Sequence, residues 1–136
     1  MRYLLDSSVC IAILRDISSL AVRRFERAIA GQATILLSSL VLSELWYGVH
    51  RSARPAENAA TLERFLRGPV GILPFDEHDA QVAGELRADL QRKGKSIGSY
   101  DTLIAAQCLR HGITVVTGNV TEFSRVKGLH WEDWTK

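Results

Sequence analysis

Asp6 closes an apolar run in "YLLDSSV", Glu44 stands inside "SSLVLSELWYGV", Asp101 opens "SYDTLIAAQ", and Asn119 follows another apolar run in "TVVTGN". Two of these acids have ordinary readings. A negative charge in a first helical turn is worth about 0.3–1 kcal/mol, which suits Asp101, and a side-chain bond to a following amide suits Asp6. Glu44 has neither support. It lies past the first turn of a helix that is apolar around most of its circumference (Leu40, Val41, Leu42, Leu45, Trp46, Tyr47, Val49), where a carboxylate needs a partner to stay ionised. Taken together, the acids would repel one another in a partly dry cleft unless cations sat between them. Oxygen-only ligation, with no Cys/His pair at metal spacing, points to a hard ion such as Mg²⁺ or Mn²⁺ and away from zinc. His50, His78, His111 and His130 are scattered along the chain and are not read as ligands.

This chemistry requires the acids to meet, and the order of elements predicts where. Short apolar or β-branched runs at Tyr3-Leu4-Leu5, Thr34-Ile35-Leu36-Leu37, Gly71-Ile72-Leu73-Pro74 and Thr114-Val115-Val116-Thr117 have the length of buried strands. Helical period fills the intervals: Ser8 to Arg15, Ser19 to Ala30, Ser39 to about Arg51, Pro55 to Arg67, Asp79 to Lys93 and Ser99 to His111. Gly31, Gly68, Gly94 and Gly112 stand as stops, and Pro55 as a first-turn residue. Strands alternating with helices imply a parallel sheet covered on both faces, a three-layer α/β/α sandwich. In such sheets ligands gather outside the carboxyl ends of the strands, and Asp6, Glu44, Asp101 and Asn119 are all expected at that edge.

The 136 residues suit a single domain, 1–136. Cys10 and Cys108 lie in apolar helical context and read as packed thiols of a reducing compartment, with a bridge between them left open. No apolar run approaches the roughly 20 residues of a membrane span, and Met1-Arg2-Tyr3 leads directly into a strand pattern, so a soluble cytoplasmic protein is expected. A net charge of +2 and a pI near 8.7 are too modest to establish nucleic-acid binding. Arginines do outnumber lysines and recur in pairs, and arginine suits phosphate contacts. Arg92, Lys93 and Lys95, just before the Asp101 helix, are the candidates for gripping a phosphate backbone.

The segments "YLLDSSV", "SSLVLSELWYGV" and "RKGKSIGSYDTLIAAQCLRHGITVVTGNVTEFSRVKGLHWEDW" together resemble the PIN-domain ribonucleases, most closely the VapC-type toxins of bacterial toxin–antitoxin pairs. The likeness runs from about Arg2 to Trp134, with the motifs in the family's order. It implies a PIN-like α/β/α fold and a metal-dependent endoribonuclease that hydrolyses RNA phosphodiesters through a water activated by Mg²⁺ or Mn²⁺. By position, the family's acids fall on Asp6, Glu44 and Asp101. Where many members have a fourth acid this chain has Asn119, an amide that can ligate through its oxygen but brings no charge. Glu122, a turn later, can compensate or can be a plain surface acid. Ser8 and Thr117 match positions that orient a carboxylate or water. The resemblance also implies a cognate VapB-type antitoxin whose C-terminal segment lies across the cleft, a homodimer, and a toxin–antitoxin hetero-oligomer. Trp46 and Tyr47 are expected either in the core or on a groove or dimer face near the Pro55–Arg67 helix.

Two rival readings remain at this stage. A catalytically lapsed PIN-fold module would bind RNA or antitoxin without cutting, with Asn119 its support. An acidic-pocket signalling receiver would use Asp76, in "ILPFDEH", as a phosphoryl acceptor, although no lysine follows the last strand.

Overall fold

A computed structural model describes all 136 residues. The elements run β1 (Arg2–Leu5), α1 (Ser7–Arg15), α2 (Leu20–Ala30), β2 (Thr34–Ser38), α3 (Ser39–His50), α4 (Pro55–Leu66), β3 (Val70–Leu73), α5 (Glu77–Arg92), α6 (Ser99–His111), β4 (Thr114–Val116), α7 (Val120–Phe123) and β5 (Trp131–Glu132). The strands form one parallel sheet in the order β3-β2-β1-β4-β5. Helices α1 to α4 pack among themselves, as do α5 to α7, giving the expected α/β/α sandwich.

The chain builds outward from β1 to β2 and β3, then returns to the other side of β1 for β4 and β5. That reversal leaves a crevice outside the carboxyl ends of β1 and β4, the place where open α/β sheets bind ligands. Buried on both faces, β1 and β4 are apolar with little alternation: Leu4, Leu5, Val115 and Val116 are completely inaccessible. They belong to a 21-residue core that also takes Cys10 and Cys108, both free thiols.

Helix ends follow local chemistry. Pro55 occupies the first turn of α4, and Gly112 closes α6 in the left-handed conformation at φ 63°. Helix α5 starts at Glu77, two residues earlier than expected, because Asp76 and Asp79 form a reciprocal capping box: the Asp79 amide donates to Asp76 and the Asp76 amide to Asp79, each at 2.9 Å. Asp76 therefore caps a helix and also pairs with Arg110. This role and the strand order remove the receiver reading. Two elements were not anticipated: α7 has four residues and β5 two, too short for either period to register.

Candidate active site

Asp6 is the first residue beyond β1, and its backbone amide still donates to the Val116 carbonyl of β4 at 3.0 Å. Its side chain caps α1. Oδ1 accepts from the Ser8 hydroxyl at 2.6 Å and the Val9 amide at 3.3 Å, and Oδ2 accepts from the Thr117 hydroxyl. Ser8 in turn accepts from the Gly118 amide at 3.3 Å, and Thr117 from the Asn119 amide at 2.9 Å. The carboxylate is thus buried and pinned by donors from the ends of both strands. Ser8 and Thr117 both donate to the Asp6 carboxylate.

Asp101 is the third residue of α6, whose start lies beside the loop after β4. The Asn119 amide nitrogen donates to Asp101 at 2.7 Å and to Glu122 at 2.8 Å. Asn119 therefore turns its nitrogen toward the acids; to ligate through oxygen, the option the sequence leaves open, its amide would have to turn over. The reason is electrostatic: between two carboxylates the donor end of the amide is favoured. Glu122 is not a plain surface acid. It is half-buried, and Oε1 accepts the Gly98 amide at the start of α6 at 3.2 Å. Its placement one turn after Asn119 was the only signal in the sequence.

The Asp101 carboxyl is pushed up to about 7, first by burial, then by the hydrogen bond and charge of Glu122, with a smaller contribution from Asp6; the Asn119 amide pulls the other way. Glu122 is held below the usual carboxylate range, chiefly by the same hydrogen bond with Asp101. A divalent cation between the two carboxylates would relieve the same repulsion, and their oxygens are hard donors. The chemistry of these oxygen donors suits Mg²⁺ or Mn²⁺.

Glu44 departs from expectation. Only Val41, Leu45 and Val49, spaced four residues apart, are buried on α3, and the face carrying Glu44 is exposed. An apolar composition does not make every face of a helix a buried one. Glu44 lines a groove of about 250 Å³ between α1, α3 and α4, alongside Ile11, Leu14 and Arg15. Its charge reaches the Tyr100 hydroxyl, which is pushed up to about 12, first by burial and then by Glu44. Asp6, Glu44 and Asp101 come to one side of the molecule without closing on one point: no three acid, imidazole or thiol side chains stand at metal-binding spacing.

The basic candidates are exposed, and two share an anion: Asp89 pairs with Lys93 at 3.0 Å and Arg92 at 4.0 Å. Lys95 lies in the turn that leads to α6. Sequence reading missed Arg125, which donates to the Ser96 carbonyl at 2.8 Å and fastens that turn to the segment after α7. Trp46 is half-buried and stacks on His50, while Tyr47 is exposed beneath the Arg51 guanidinium.

The PIN domain model matches residues 3–129. The tRNA(fMet)-specific endonuclease VapC of Shigella flexneri is 34% identical over 135 residues, 99% of each chain. Ribonuclease VapC2 of Rickettsia felis is 36% identical over 136 residues, 100% of each. The solved VapBC2 complex of Rickettsia felis, bound to a DNA fragment from its promoter, contains a chain that superposes with a TM-score of 0.90 at 35% identity, covering 98% of this chain and 99% of that one. The chain belongs to the PIN-domain family and, within it, to the VapC ribonucleases of toxin–antitoxin pairs.

Proposed function

We propose that this ribonuclease hydrolyses RNA phosphodiesters in a Mg²⁺- or Mn²⁺-dependent reaction at the crevice between β1 and β4. The ion would be held by Asp6 and Asp101, with Glu44 and Glu122 completing the acidic ring. The observation that carries this reading is the facing pair of assemblies: Asp6 pinned by Ser8 and Thr117, and Asp101 held with Glu122 by Asn119. A bound divalent ion would supply a water of lowered pKa and charge stabilisation for the phosphate.

The chain's own residues set the geometry. Ser8 and Val9 hold Oδ1 of Asp6 and Thr117 holds Oδ2, which leaves one free lone-pair direction, on Oδ2. Asn119 orients Asp101 and Glu122 together. Glu122 brings the charge that Asn119 lacks, which removes the main support for a lapsed module. Arg92, Lys93 and Lys95, beside the start of α6, would meet substrate phosphates.

The Shigella flexneri relative is named for tRNA(fMet), and tRNA is the substrate class we put first. A cognate VapB-type antitoxin would restrain the enzyme in the cytoplasm, its C-terminal segment lying along the groove that Glu44 lines. No helix is long and apolar enough to cross a membrane. The test is incubation of antitoxin-free protein with total cellular RNA in Mg²⁺, in Mn²⁺ and with chelator, beside Asp6→Asn, with the cleaved ends sequenced. Discrete metal-dependent cuts bearing 5′-phosphates, absent in the variant, are expected. Cyclic 2′,3′-phosphate ends would contradict attack by water.

A further inference from the structure

Helix α5, the turn after it and the first turn of α6 enclose a second recess, of about 130 Å³, with Arg87, Gln91, Ser96 and Ser99 at its mouth. Its polar lining is a guanidinium, a carboxamide and hydroxyls, with no carboxylate. In a chain with 15 acidic residues, their absence here leaves the recess positive. Arg87 forms no ion pair within the chain, whereas Arg92 and Lys93 on the same helix end share Asp89. The hydrogen bonds made nearby use Asp89, the Thr102 hydroxyl and the Ser96 carbonyl. The Arg87, Gln91, Ser96 and Ser99 side chains are left without a protein partner. The turn that carries Ser96 is fixed in advance: the Lys95 amide donates to the Leu90 carbonyl at 2.9 Å, and Arg125 to the Ser96 carbonyl at 2.8 Å. Such preorganisation lowers the ordering cost of binding. Ser99 and Thr102, three residues apart, line the recess from one side of α6. Asp101 leaves the same turn about 100° round the axis from Thr102, so the recess and the acids flank one helix end.

Unpaired donors with no acid among them select an anion, and the arginine fork matches phosphate oxygens. Resting on the reading that RNA is cut at Asp101, we propose that this recess is a subsite for a backbone phosphate of the RNA other than the one cleaved. Arg87 makes the charged contact, and Gln91, Ser96 and Ser99 complete it with neutral donors. A phosphate contact carries no base sequence but fixes register. Holding that phosphate lays the strand across the start of α6, so the recess sets which bond of the RNA reaches Asp101.

The test reads RNA binding apart from cutting. Full-length protein in chelator is titrated into fluorescein-labelled tRNA, and anisotropy gives the affinity at several salt concentrations for the wild type, Arg87→Gln, Arg87→Lys and Arg64→Gln. The last removes an equal charge from an exposed arginine of α4. Arg87→Gln is expected to bind about tenfold more weakly, the loss of one charged hydrogen-bonded contact, with the salt slope reduced by about 0.7–0.9 and an unchanged circular dichroism spectrum. Arg87→Lys keeps the charge without the fork and should fall between, while Arg64→Gln should bind as the wild type does. Wild-type affinity in Arg87→Gln, equal losses in Arg87→Gln and Arg64→Gln, or no RNA binding by the wild type would overturn the proposal. So would inorganic phosphate alone raising the melting temperature of the wild type but not of Arg87→Gln while both bind RNA equally, the mark of a site for a free anion. Asp101→Asn, titrated in parallel, should bind RNA at least as tightly as the wild type and fail to cleave it in Mg²⁺. Cleavage by Asp101→Asn would overturn the reading of Asp101, whereas the Arg87 result bears on the recess alone.

Discussion

Asp79 and Asp101 are both the third residue of a helix, in α5 and α6. Asp79 reaches back to its own cap, accepting the Asp76 amide, and takes the Arg110 guanidinium from the last turn of α6 at 3.0 Å. Fully buried, it is satisfied by local partners and an arginine. Asp101 makes no such return. The corresponding amide, that of Gly98, is taken by Glu122 from α7, and Asp101 is left among carboxylates. One end of α6 therefore neutralises acids, and the other collects them. The same residue at the same helical position is a stabilising cap where its charge is matched; unmatched, it costs stability that a function must justify. The carboxylate at the front of α6 is not there to cap the helix, because Glu122 has taken that task.

Several substitutions break this contrast, the largest effect being on activity. Asp101→Asn keeps the shape and removes a charge from the collecting end; RNA cleavage in Mg²⁺ should fall by at least about 10²-fold, with the melting temperature in chelator unchanged or raised. Asp79→Ala removes the matched acid. It should cost about 2 kcal/mol of stability, read by urea unfolding, from a lost capping box and a lost charged hydrogen bond, while protein that remains folded still cleaves.

Acid–base titration of the fold in chelator sharpens the contrast, because the two ends respond in opposite senses. Asp76 is held below the usual carboxylate range, chiefly by the Asp79 amide and also by Arg110. Its stabilisation is present above the ordinary aspartate pKa and is lost as pH falls through the depressed value. Asp101 is raised from 3.8 to about 7; its contribution is greatest in acid and is lost as pH rises through about 7. Asp76→Asn should flatten the acid limb of a stability profile, and Asp101→Asn the limb between about pH 4 and 7. The smallest effect belongs to the surface pair at the end of α5: Lys93→Ala should change stability by less than about 0.5 kcal/mol, so any larger loss in RNA binding by that variant would report a phosphate contact.

Much of this architecture is legible in the chain because burial writes itself as composition. The strands β1 to β4 are continuous apolar runs, and the stops at Gly94 and Gly112 mark helix ends that the structure confirms with positive φ at 65° and 63°. Asp6 is legible because it ends such a run. Features that depend on what lies opposite were not. Glu44 stands in an apolar helix yet faces a groove, since which side of α3 is covered depends on α1 and α4. The sequence leaves open which end of the Asn119 amide faces the site, and its neighbours are two acids that call for its nitrogen. Glu122 meets Asn119 only because a four-residue helix, too short to predict, brings it over the Gly98 amide.

The central claim is that the acids at the start of α6, and not those at its far end, form a metal site. The most direct measurement is an anomalous difference map from crystals soaked in Mn²⁺. A peak between Asp6 and Asp101, absent in Asp101→Asn crystals, is expected, with none at Asp76 and Asp79. Crystals that bind Mn²⁺ only at the Asp76–Asp79 corner, or nowhere on the protein at saturating Mn²⁺, would contradict it.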